Sequence, residues 1–218
     1  MDRNQVIGLV VMLVIALAGL GGYVYLSSTA KAPVTPPKTL TEAQLVATDS
    51  PMTGNPNAKV MLVEWGDFEC PFCAQEAPTI EQLVKTYGSN PNFSFVFRSF
   101  PLPQHQNARP ADEAMFAATA QGKFWQMYLQ LYDHQNDWVN LGNPRSAFDT
   151  YAKAIGLDQK VFDAALDAHT YAAKVDAEFN AAMSLGLDHT PTIFVNGTEQ
   201  KDVSETGLDA AIKAALGS

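Results

Sequence analysis

Cys70 and Cys73 are the two cysteines of the chain, and Pro71 and Phe72 separate them. Two thiols at this spacing can close one disulfide and pass two electrons by thiol–disulfide exchange. The pair could instead be half of a zinc site, but that needs two further ligands. The four histidines, His105, His134, His169 and His189, show no paired spacing. Exchange chemistry is therefore favoured, and it depends on where the first sulfur sits. A thiol at the N-terminus of a helix meets unpaired N–H groups and the positive end of the helix dipole, which stabilise the thiolate. Cys70 is then the exposed attacking sulfur. Cys73, one turn further on and shielded by the helix, is the resolving one.

The surrounding segments supply such a helix. Lys59–Trp65 is short, apolar and bounded by turn formers, as a buried strand is. Pro71–Tyr87 follows with Pro71 in the first turn, Gly88 as the stop, and Ala74, Ala77, Ile80, Leu83, Val84 and Tyr87 on one face. Phe93–Ser99 alternates as a second strand with Phe93, Phe95 and Phe97 on one side. Strand, helix and strand in this order predict parallel pairing. A long helical region runs from about Asn107 to Gly186. Asn143-Pro144 predicts a helix start and Asp158 a cap. Val161, Phe162, Ala165 and Leu166 are expected on an inner face, continued by Val175, Phe179, Ala182 and Met183. Trp125, Tyr128, Leu129 and Tyr132 have helical spacing and are expected in the core of this region. Phe100–Arg109 is a Pro-rich stretch that could border a substrate groove or serve as a connector. Thr192–Asn196 predicts a third strand, Asn196-Gly197 a hairpin turn, and Glu205–Leu216 a final helix.

The chain has 218 residues, enough for one ordinary domain and an additional segment. Its net charge of −9 argues against nucleic-acid binding. Val6–Leu26 is nearly all apolar, and at the rise of a helix it spans roughly 30 Å, the thickness of a bilayer core. Residues 1–26 are expected to form a single N-terminal transmembrane anchor with Arg3 on the cytoplasmic side. A cleaved signal peptide is the alternative, disfavoured by the length of the run. Residues 27–40, with Pro33, Pro36 and Pro37, are expected to be a linker. The catalytic domain, residues 41–218, would then stand on the extracytoplasmic side.

Four stretches together resemble the DsbA-like branch of the thioredoxin superfamily. They are Glu64-Trp65, then Asp67-Phe68-Glu69-Cys70-Pro71-Phe72-Cys73, then Arg98-Ser99-Phe100-Pro101-Leu102, and Thr190-Pro191-Thr192-Ile193-Phe194-Val195-Asn196-Gly197. The resemblance implies an α/β thioredoxin fold with an inserted all-helical subdomain over about 107–186. It implies that Pro191 is a cis proline facing Cys70, with the backbone of Thr190 free to pair with an extended client segment. Taken alone, Pro191 would read as a trans proline opening a strand. The resemblance also implies that Glu64 is a buried acid that exchanges a proton with Cys73. A solvated glutamate at a strand end is the equal alternative. His189 is either a surface histidine or close enough to the cysteines to act on them.

The expected activity is that of a protein thiol–disulfide oxidoreductase, most simply a disulfide donor to exported proteins. No soluble cofactor or metal is expected beyond the Cys70–Cys73 disulfide itself. Re-oxidation by a quinone-linked DsbB-like or vitamin-K-epoxide-reductase-like membrane protein is implied by the resemblance. Two features predict a weaker oxidant: Phe72 stands where the strongest oxidants of the family have histidine, and Glu69 adds a negative charge beside Cys70. A reductase or isomerase is therefore the first alternative. A copper- or client-binding module without turnover is the second.

Overall fold

The computed structural model describes residues 37–217, together with residues 2, 3 and 12. The expected anchor lies outside the described residues except for Asp2, Arg3 and Met12. Among the described residues no helix is long and apolar enough to cross a membrane.

The sheet has strands in the order β1-β3-β2-β4-β5. They are β1 (Met52–Gly54), β2 (Val60–Gly66), β3 (Phe93–Ser99), β4 (Thr192–Val195) and β5 (Thr198–Glu199). β2 pairs parallel with β3 and antiparallel with β4. Every residue of β2 and β3 is buried, which explains their nearly continuous apolar sequences. The short α1 (Glu42–Leu45) and β1 precede this unit, and neither is evident from sequence periodicity. β1 is three residues of antiparallel edge, too short to show an alternating pattern.

Between β2 and β3 lies α2 (Pro71–Tyr87), with Pro71 at its start and Pro78 inside it. The helical region then divides into α3 (Ala108–Thr119), α4 (Phe124–Asp133), α5 (Gln135–Trp138), α6 (Arg145–Ala154), α7 (Gln159–Asp167) and α8 (Ala172–Ser184). The chain closes with α9 (Glu205–Leu216). Asp158 caps α7 through hydrogen bonds from the N–H groups of Lys160 and Val161. Asn143-Pro144 precedes α6 as expected, but Pro144 is the cap and Arg145 the first helical residue.

Alternation along β2 sends Val60, Leu62 and Glu64 to one face of the sheet and Met61, Val63 and Trp65 to the other. The first face meets α2, α4 and α9 through Ile80, Leu83, Tyr128, Leu208 and Ile212. The second meets α1 and α8 through Leu45 and Ala182. There Arg98 of β3 pairs with Glu178 of α8 at 2.6 Å and stacks over Trp65. Two expected inner residues face outward: Val161 and Met183 are both 54% exposed. Phe162 and Leu166 define the buried stripe of α7, and Val175 and Ala182 that of α8. A neighbour one position away is rotated about 100° off such a stripe.

The last residues of the expected linker belong to the folded unit. Thr39 bridges to Thr198, and the N–H of Leu40 donates to the carbonyl of Gly197 at 2.8 Å.

Candidate active site

β2 ends at Gly66, and Cys70 is the N-cap of α2. Pro71 suits the first helical position, where no N–H is needed. The loop between is held on several sides. The N–H of Cys70 donates to the carbonyl of Asp67 at 3.0 Å. Gln135 of α5, itself buried, donates its amide to the carbonyls of Phe68 at 2.7 Å and Cys70 at 3.0 Å. Replacing Gln135 with Ala leaves the Phe68 carbonyl without its donor. We expect a loss of roughly 2 kcal/mol in folding stability, measurable by denaturant unfolding. An unchanged midpoint would show that the loop does not need the clamp.

Both thiols are free. Cys73 is fully buried, and Cys70 is 3% exposed rather than the open sulfur expected from sequence. The Thr190–Pro191 turn covers it: the peptide bond is cis, and the Thr190 carbonyl accepts from Cys70 Sγ at 3.6 Å. What remains open is a groove of about 520 Å³ lined by Phe72, Gln75, Glu76, Thr190, Pro191 and Val203. Phe72 stands at its edge, 64% exposed.

The two sulfurs differ sharply in acidity. A hydrogen bond from the Cys73 thiol, helped by the N–H groups of Cys73 and Phe72, outweighs burial and lowers Cys70 to about 5. Burial, the neighbouring Cys70 and Glu64 hold Cys73 well above the ordinary thiol value. Sequence predicted that Glu69 would weaken the Cys70 thiolate. Its carboxylate accepts from the N–H of Asn107, at the start of α3.

Glu64 is fully buried, so the solvated alternative is corrected. Tyr128 donates to its Oε2 at 2.8 Å, while Oε1 has no partner. Burial raises the carboxyl to about 8. Gly66 makes room for it, because a Cβ there would lie 2.8 Å from Oε1 and 2.6 Å from the Phe97 ring. Tyr128 therefore does more than fill the helical insertion. It packs against Phe97 and Tyr132, at 5.6 and 4.8 Å between ring centres, and reaches the acid beneath the cysteines.

His189 lies at the rim of the groove, but its ring is 59% exposed and pairs with Asp188 at 2.8 Å. The surface reading holds for it. The histidine that does approach the active-site loop is His105, whose Nδ1 lies 2.6 Å from the buried Asp67. From sequence its loop, Phe100–Arg109, reads only as a groove border or connector. Nothing in its local sequence links it to Asp67, 38 positions earlier.

Comparisons with known proteins agree with this geometry. The thioredoxin family matches residues 47–214. The sodium/proton antiporter NhaA 1 of Mycolicibacterium vanbaalenii is 40% identical over 157 residues, 68% of this chain but 23% of that protein. The chain thus spans less than a quarter of the length of this relative. Among solved structures, oxidised BdbD from Bacillus subtilis superposes with a TM-score of 0.72 at 20% identity, covering 85% of this chain and 100% of that one. Alpha-DsbA1 of Wolbachia pipientis gives 0.67 at 17% identity, covering 79% and 95%. By its sequence match over residues 47–214, the chain belongs to the thioredoxin family.

Proposed function

We propose that the protein donates disulfides to exported proteins through the Cys70–Cys73 pair. The observation that carries this reading is the unequal pair of sulfurs: Cys70 lowered to about 5 at the helix start, Cys73 raised and buried behind it. A thiolate stabilised this strongly makes the reduced form favourable, which is the property of an oxidant.

In the donating direction a client thiolate, lying in the groove beside Thr190 and Pro191, attacks Cys70 Sγ of the oxidised pair. The Cys70–Cys73 bond breaks, a client–Cys70 bond forms, and Cys73 leaves with the electron pair. Its raised proton affinity draws a proton, for which the carboxyl of Glu64 is the buried source. A second client thiolate then attacks the client sulfur of the mixed disulfide. Cys70 departs as the stabilised thiolate, the client carries the new disulfide, and the protein has gained two electrons. The groove wall of Phe72 and Pro191 suits an extended, partly apolar segment, as an unfolded client offers.

An extracytoplasmic site, an anchor within residues 1–26 and re-oxidation by a DsbB-like or vitamin-K-epoxide-reductase-like membrane protein complete the proposal. They rest on the sequence of the N-terminal segment and on the family resemblance.

The deciding experiment equilibrates the chain with glutathione and measures the reduction potential of the pair. We expect a value near about −120 mV, as for strong oxidants of this superfamily. A value near about −270 mV would make the protein a reductase and overturn the direction proposed.

A further inference from the structure

Asp67 is fully buried three residues before Cys70, and three donors converge on it. Its Oδ1 accepts from the N–H of Glu69 at 2.8 Å. Its Oδ2 accepts from the N–H of Leu102 at 2.8 Å and lies 2.6 Å from His105 Nδ1. On the other side its backbone N–H is directed at the Cys73 sulfur. One carboxylate thus ties the loop that delivers Cys70 to the loop that leaves β3, directly behind the redox pair. An unneutralised charge there would oppose a thiolate. The imidazole of His105, 18% exposed, is placed to neutralise it.

We infer that His105 is a positioning residue for the exchange reaction: protonated and held by Asp67, it cancels the buried negative charge behind the Cys70–Cys73 pair and favours the thiolate of Cys70. This rests on the oxidoreductase reading and adds to it a cationic group near a pair whose own dipeptide, Pro71-Phe72, carries no charge. The hydrogen bond that the ring donates to Asp67 raises its proton affinity against the opposing effect of burial, and the charges of Asp67, Glu69 and Cys70 act in the same direction. Asp112 of α3 and Tyr132 of α4 also face Asp67, and burial raises the proton affinity of both.

The test uses the full reduced chain and two substitutions. His105→Asn keeps a donor to Asp67 but cannot carry a proton. His105→Arg keeps the charge. The Cys70 thiolate is titrated by its absorbance near 240 nm, and the exchange equilibrium with glutathione is measured in parallel. For His105→Asn we expect a roughly tenfold rise in the proton affinity of Cys70. The glutathione equilibrium should shift about tenfold, or about 30 mV, toward the less oxidising side. His105→Arg should stay within about threefold of the wild type. Superimposable curves for the wild type and His105→Asn would overturn the inference, as would equal shifts in both variants.

The same coupling is readable without substitution, because linkage is reciprocal. The His105 resonance of the wild type should titrate at higher pH in the reduced form than in the oxidised form, and equal midpoints would again overturn the inference. A wild type that fails to exchange with glutathione would defeat the proposed function, while the absorbance titration would still decide the role of His105.

Discussion

Cys73→Ser is expected to stop turnover and to accumulate a mixed disulfide on Cys70. Cys73 sits one helical turn into α2, fully buried, in hydrogen-bonding contact with the Cys70 sulfur. As an intramolecular nucleophile it acts at an effective concentration far above that of any free thiol. Without it, a mixed disulfide formed when the Cys70 thiolate attacks a disulfide of glutathione or of a client must await an external thiol, and release should slow by on the order of 10³-fold or more. Mass spectrometry under non-reducing conditions should find a client or glutathione adduct on Cys70 of the variant. Cys70→Ser should yield none, because the remaining sulfur is buried and remains protonated at neutral pH. An adduct on Cys73 of Cys70→Ser, or none in Cys73→Ser, would reverse or abolish the assigned roles.

Glu64→Gln is expected to separate stability from catalysis. The folded pKa of about 8 stands above the ordinary value of 4.5. Between those pH values the folded protein retains a proton that the unfolded chain releases. Folding therefore loses stability as pH rises through this window, and the penalty is absent below about 4.5. Gln cannot ionise, and its amide oxygen can still accept from Tyr128. The variant should be more stable than the wild type at pH 8 by a few kcal/mol, at about 1.4 kcal/mol per pKa unit, and indistinguishable at pH 4. The step in which Cys73 gains or loses a proton should slow by about 10²-fold. Denaturant unfolding at both pH values and stopped-flow release of a mixed disulfide measure the two effects. Equal stabilities across the range would mean that Glu64 is not held neutral, and an unchanged release rate would remove it from the proton path.

Much of the scaffold follows from local pattern. The strands Val60–Gly66 and Phe93–Ser99 are largely apolar because both faces of the parallel pair are covered. The helix Pro71–Tyr87 is bounded by a proline that suits its start and followed by a glycine that suits its end. The face of Glu64 could also be read from alternation, since it shares parity with Val60 and Leu62, which line the core beneath α2. The pattern fails for α1 and β1, which are too short to repeat. It fails by one residue at Val161 and Met183, where a step of about 100° separates a buried stripe from solvent.

The chemistry available and its place in the chain are legible from neighbouring residues: two thiols three positions apart at the start of a helix, and Thr190-Pro191 opening a strand. Those are properties of neighbouring residues, and local geometry suffices to infer them. The environment of the sulfurs comes from residues distant in the chain. Tyr128 reaches Glu64 from 64 positions away, Gln135 grips the Cys70 loop from 65, and His105 meets Asp67 across 38. Burial and charge at a thiol are sums over everything packed around it. Glu69 shows the consequence: adjacent in sequence to Cys70, it spends its carboxylate on another helix, while a histidine from a distant loop meets the buried Asp67 behind the redox pair.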